Sequence, residues 1–195
     1  MRSPTVLVAL AALLLTVACG ATSPGPGAGL SGGGASMRVL SPSAVPDVPS
    51  KTTVLTAGDL TKDASIPDLL SKLSAWGYVD GRQRLFQGQS RHLTFVVSRA
   101  LLFQGSAGAG AYVEFVHSNA TSFFGIAGSQ PLVAQGRSGW QFTPSACSCH
   151  LANPVVIGVV ADGSGVAWLE INGPDATATL LLDLLDPARS VPATV

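Results

Sequence analysis

Charge is what this sequence has least of: 11 Lys and Arg stand against 11 Asp and Glu, 11% of the residues, with a formal net charge of zero. That is roughly half the charged share of an ordinary globular domain, and a neutral chain has no overall attraction for nucleic acid. Cysteine is scarce too, confined to Cys19, Cys147 and Cys149. No apolar run reaches the roughly 20 residues that a helix needs to cross the hydrocarbon of a bilayer. Internal repeats are absent. So are the usual signatures of chemistry. Gly105-Ser106-Ala107-Gly108-Ala109-Gly110 is spaced G-x-x-G-x-G, not G-x-G-x-x-G. It lacks the Lys-Ser/Thr of a phosphate-binding loop and a suitable acid about 20 residues later. Ser138, in Gly136-Arg137-Ser138-Gly139-Trp140, lacks the G-x-S-x-G spacing of a nucleophile elbow. The carboxylates carry no metal or glycosidase pattern, and His92 and His117 have no partner of defined spacing. Composition and motifs imply no cofactor.

What is present begins at the first residues. Arg2 supplies a positive charge, Val6 to Leu15 is apolar or small throughout, and Leu15-Thr16-Val17-Ala18-Cys19 follows. A charged start, a short apolar core and a small-residue cut are the layout of an export signal. The five residues ending in Cys19 resemble the lipobox of bacterial lipoprotein precursors. The resemblance implies cleavage after Ala18 and a diacylglycerol on the Cys19 sulfur, anchoring the protein in the cell membrane on its extracytoplasmic face. One acyl chain alone holds a protein only marginally, at about 0.8 kcal/mol per buried CH₂, whereas two hold it stably. The competing reading is ordinary signal cleavage near Gly20, with Ala18 and Gly20 as the small pair, which makes the protein secreted.

From Gly20 to Ser50 the chain is rich in Gly, Ser, Pro and Ala, with only Arg38 and Asp47 charged. Without apolar periodicity it has nothing to offset the entropy of ordering, and reads as a tether. About 30 residues at roughly 5–6 Å × √n reach on the order of 30 Å. The expected organisation is therefore a signal peptide over 1–18, a lipid-anchored tether over 19–52, one domain over 53–188 and a tail over 189–195.

Within the domain, Ser65-Ile66-Pro67-Asp68 before Leu69, Leu70 and Leu73 predicts a helix start, with Gly77 as its stop. Val79–Gln87 and Leu93–Phe103 predict a β-hairpin. Ala109, Tyr112, Val113, Val116, Ala120 and Phe123 recur at helical spacing, predicting a helix from Ser106 to about Phe124. A strand is expected around Trp140-Gln141-Phe142. The clearest hairpin joins Val155–Ala161 to Val166–Ile171 through Asp162-Gly163-Ser164-Gly165; its first arm, apolar on both faces, should be a central strand. Asp175 heads a final helix ending before Pro187. Helices interspersed with antiparallel pairs argue α+β: an antiparallel sheet with about three helices packed on one face. Small actinobacterial exported lipoproteins are similar in this broad architecture, which carries no function.

Two groups of residues remain as candidate sites. Cys147-Ser148-Cys149-His150 places the thiols left after Cys19 beside an imidazole in an oxidising compartment. A bridge across one residue is strained and readily reduced. Separate inert thiols are a second option, and soft-metal binding with His150 a third, although zinc sites favour Cys-x₂₋₄-Cys. Arg82 and Arg84, two apart on a strand, share a face and could take an anionic ligand or lipid headgroup, against the plainer reading of a solvated strand face. Trp76, Trp140 and Trp168 read as packing residues ahead of pocket lining. The function expected is that of an envelope lipoprotein, held by membrane lipid through acylated Cys19, whose domain binds an unidentified ligand or partner or has a structural role, without catalysis. The alternatives are redox or soft-metal handling by the Cys-Ser-Cys-His cluster, and an enzyme whose residues are too dispersed to recognise.

Overall fold

The fold was analysed in a computed structural model, which describes residues 38–46, 48–62, 66–88, 92–144 and 153–192. All of them belong to one compact unit, Gly33–Val195. In chain order, β1 (Arg38–Leu40) and a 3-10 turn (Pro42–Ala44) precede β2 (Ser50–Val54), α1 (Ala57–Lys62), α2 (Leu69–Ala75), β3 (Tyr78–Gln87) and β4 (Phe95–Phe103). Then come α3 (Ser106–Ser118), α4 (Ala120–Phe124), β5 (Ile126–Ala134), β6 (Arg137–Pro144), β7 (Val155–Asp162) and β8 (Gly165–Asn172). The chain closes with α5 (Ala178–Leu184), a 3-10 turn (Pro187–Arg189) and β9 (Ser190–Pro192). Seven strands form one antiparallel sheet in the order β2-β3-β4-β8-β7-β6-β5, and β1 pairs with β9 in a separate two-stranded ribbon. The class is α+β, as the element pattern predicts.

The hairpin expectations hold. β3 pairs with β4 from Tyr78↔Phe103 to Gln87↔Phe95, and β7 with β8 around a two-residue turn, Gly163–Ser164. β7 lies between β8 and β6, and its first six residues are all buried. Alternation sends its side chains to two cores. Val156 and Val160 pack with Phe86, Val96, Leu169 and the α5 residues Leu181 and Leu184. Val155, Ile157 and Val159 pack with Leu101, Phe103 and the α3 residues Tyr112, Val113 and Val116. The helices are thus divided. Buried residues of α1 (Leu60), α2 (Leu69, Leu73) and α3 share one face, while α5 lies on the other. Three helices on one face match the expectation, and α5 adds cover on the other, because a β7 that is apolar on both sides needs cover on both.

Local details depart from the sequence reading in instructive ways. The helix expected from Ser106 to Phe124 breaks at Asn119, whose Nδ2 donates to the Phe115 carbonyl at 2.9 Å. Asp68 is the N-cap of α2 but has a left-handed backbone and no side-chain cap bond; Ser65, the expected cap, lies outside the described residues. The cap of α5 is Thr177, whose Oγ1 accepts from the Leu180 N–H at 3.2 Å. Asp175 instead meets His92 Nδ1 at 2.5 Å.

The largest difference concerns the ends. β1 falls inside the stretch expected to be a tether, β2 straddles its end, and β9 lies inside the expected tail. β1 is ordered by long-range contacts that composition cannot show. The Leu40 N–H donates to Ser98 Oγ at 3.0 Å, its carbonyl accepts from Arg84 Nη1 at 2.5 Å, and Val39 and Leu40 are buried.

Candidate functional site

A cleft opens on the α5 face, where β1, β9 and the C-terminal end of α5 stand over β4 and β8. It exists because the floor is built from small side chains. Ala100 on β4 stands opposite Ala167 on β8, and Gly165 stands opposite Leu102 two pairs along. Paired residues on one face approach within about 5 Å at Cβ, so two alanines leave a hollow where two leucines would fill it. Leu40, Leu184, Leu185 and Pro187 make apolar walls around a small, half-open cavity of about 70 Å³. Apolar walls with a few polar groups that orient what enters are the usual make-up of a small-molecule site.

Those polar groups come from three places. Arg38, on β1, is exposed at the mouth and donates through Nη2 to the Ser190 carbonyl at 2.6 Å. Arg137, from the β5–β6 hairpin, has a side chain only 10% exposed. It donates to the Leu185 carbonyl and, from Nε at 3.2 Å, to that of Ala134. Asp162, at the end of β7, is the one carboxylate among the described lining residues and stays 3.9 Å from Arg137 Nη1. Arg99 lines the floor from a strand position whose guanidinium turns to the other face, donating to Gln83 Oε1 at 2.7 Å and lying 5.2 Å from the Trp168 ring. The exposed Arg38 makes the opening cationic, and most of the remaining lining is apolar.

Arg82 and Arg84, expected to share a strand face and to be able to take an anion, do lie on one face, opposite Ala100 and Ser98 and beside the floor of this cleft. Their guanidiniums, however, have internal partners. Arg84 is 8% exposed, binds Leu40 O, and donates from Nε to Thr52 Oγ1 at 2.9 Å. Burial pushes its pKa down from the ordinary arginine value. Arg82 pairs with Asp80 and donates to the Gly81 carbonyl at 2.8 Å, while its Nε is buried with no hydrogen-bond partner among the described residues. The solvated strand face is thereby corrected to an internal clamp. Sequence reasoning missed Arg38, assigned to the tether, and Arg137, counted only toward the net charge of its segment. Nothing in their local sequence signals the cleft, since turns bring both to it.

Other candidates resolve into packing. Trp76 meets Phe115 and Tyr112 edge-on, and Trp168 lies against Phe123 and Phe124. Trp140 donates to Glu114 Oε1 at 3.0 Å, with the His117 ring stacked on it at 3.5 Å. The glycine loop before α3 is shaped by contact: a Cβ on Gly108 would stand 2.0 Å from the Trp76 carbonyl oxygen, so only glycine lets the helix start pack there. Among the described residues no group of three or more His, Cys, Asp or Glu could hold a metal ion, and no helix is long and apolar enough to cross a membrane. Cys19, Cys147, Cys149 and His150 lie outside the described residues.

No family model matches this chain, and no curated protein matches it. Among solved structures it is similar to the extracellular domain of PknH from Mycobacterium tuberculosis, with a TM-score of 0.34 and 13% identity, covering 69% of this chain and 81% of that one. A likeness that slight assigns neither a family nor a function.

Proposed function

We propose that this protein is a lipid-anchored extracytoplasmic binding protein that holds a small ligand, without transforming it, in the cleft between β1, α5 and the β4–β8 floor. The observation that carries the reading is the pairing of Ala100 with Ala167 under walls of Leu40, Leu184 and Leu185, with Arg38 and Arg137 among the lining residues. An apolar hollow removes ligand surface from water at about 25 cal/mol per Å², and the few polar groups orient what enters. The lipobox-like segment ending in Cys19 supports the anchor and the extracytoplasmic address. A tether of the remaining residues before β1 would let the domain meet ligands away from the bilayer.

Ligand-observed NMR with a mixture of small apolar and amphiphilic fragments tests the cleft. The full chain carrying Cys19→Ser, and therefore free of acyl groups, should bind a subset of fragments, and Ala167→Leu, which fills the floor, should abolish that subset. A set of fragments unchanged by Ala167→Leu and by Ala100→Leu would overturn the reading.

A further inference from the structure

Resting on the binding reading above, the geometry points to a specific ligand class: we propose that the cleft takes an amphiphilic acid, a carboxylate or phosphate monoester carrying a short apolar tail. Its tail would lie over Ala100 and Ala167, and its head would face Arg38 and Arg137.

Three observations carry this. The polarity of the cleft is graded. The floor and walls offer methyl and methylene groups from Ala100, Ala167, Leu40 and Leu184, while the charged groups sit toward β1 and the two hairpin turns. A ligand that is polar throughout would leave its inner part without partners, and one that is apolar throughout would bury nothing against the guanidiniums.

The charge is also one-sided. Arg38 donates to the Ser190 carbonyl and has no carboxylate within ion-pair distance among the described residues, while Arg137, bonded to two backbone carbonyls, is paired with Asp162 at the long distance of 3.9 Å. Arg82, beside the floor and opposite Ala100, is paired with Asp80 and adds no net charge, but its buried Nε has no hydrogen-bond partner among the described residues. An anion entering here meets donors held in place by β1 and the β5–β6 hairpin, and charge-assisted bonds to such donors are stronger than neutral ones.

Finally, the hollow is small, about 70 Å³, and partly open to solvent. That limits the tail to a short single chain and excludes a two-chain lipid buried whole.

Isothermal titration of the full chain carrying Cys19→Ser with four probes tests the inference: octanoate, octyl phosphate, octanol and inorganic phosphate. Both octyl anions should bind, octanol about tenfold more weakly, as the loss of one charge-assisted hydrogen bond implies, and inorganic phosphate not measurably. The stronger of the two anions identifies the head group. Arg38→Gln alters an exposed side chain, so the fold is retained. It should weaken both anions by about tenfold and leave octanol unchanged. Octanol binding as tightly as the anions, or anion affinities indifferent to Arg38→Gln, would overturn the inference while leaving the cleft as a binding site. Silence from all four probes, when fragments still occupy the cleft, would also overturn it alone. An empty cleft in both experiments would remove the binding reading with it.

Discussion

The Arg84 guanidinium donates to the Leu40 carbonyl at 2.5 Å, across 44 residues of chain. With Ser98 Oγ accepting from the Leu40 N–H, it gives both backbone groups of one residue of β1 a side-chain partner on the sheet. β1 forms one wall of the cleft and carries Arg38 to its mouth. The same contact therefore fixes a strand and positions a candidate ligand-binding charge.

Arg84→Leu should destabilise the domain by about 2–3 kcal/mol, the range for losing hydrogen bonds to a charged group and leaving a buried carbonyl unpaired. Arg84→Lys should recover only part of this, because an ammonium cannot span Leu40 and Thr52 as the planar fork does. Urea denaturation of the two variants measures the difference. Equal stability of Arg84→Leu and the parent would show that β1 is held by other contacts.

Two helix glycines separate close packing from local propensity. Gly108→Ala forces a methyl group to within 2.0 Å of the Trp76 carbonyl oxygen, so the start of α3 must shift, at a cost of about 1–3 kcal/mol by the usual scale of overpacking. Gly110 has nothing within 4 Å of a built Cβ, and Gly110→Ala should stabilise by about 0.5–1 kcal/mol through helix propensity alone. Thermal melts of the two single variants should move in opposite directions; movement in the same direction would contradict the packing described.

Acid should loosen α1 before the rest of the domain. Thr56 and Asp59 cap this helix reciprocally. The Thr56 N–H and hydroxyl donate to Asp59 Oδ2 at 3.0 and 2.6 Å, and the Asp59 N–H donates to Thr56 Oγ1 at 3.2 Å. Lys62, together with the Thr56 donors, holds the Asp59 carboxyl well below its ordinary value of 3.8. A carboxyl depressed by folding contributes stability that is complete above its unfolded value and lost as pH falls below it. Amide exchange at Leu60 and Thr61 should therefore accelerate as pH falls below about 3.8 in the parent and be largely pH-independent there in Asp59→Asn, after correction for intrinsic exchange.

For the anchor, Cys19→Ser should abolish acylation and shift the protein from the membrane fraction to the soluble extracytoplasmic fraction. Intact mass and fractionation read this directly. A variant that stays membrane-bound with an unchanged mature mass would exclude the lipid anchor.

The elements that could be read locally are those in which periodicity and turn chemistry agree. β7 and β8 are of this kind: a run of β-branched residues, a Gly163–Ser164 turn and a second alternating run leave no competing conformation. Gly77 was legible as the stop after α2, with φ +71° where other residues are strained. β5 was not legible. Gly128-Ser129-Gln130-Pro131 has the composition of a turn, and the segment becomes a strand through its ladder with β6 at the sheet edge, where proline is tolerated. β1 was hidden for the same reason, its partners lying 58, 44 and about 150 residues away.

By itself the sequence determined the α+β class, two hairpins and the buried middle strand, because each depends on residues close together along the chain. Only tertiary structure decided that Arg84 is a clamp, that helices cover both faces, and that Ala100, Ala167, Arg38 and Arg137 meet at one cleft. A cleft is space left between distant elements, and its size follows from which small side chains happen to stand opposite each other across paired strands. That register is fixed by the whole sheet and by the two cores on either side of it, and no short stretch of sequence contains it.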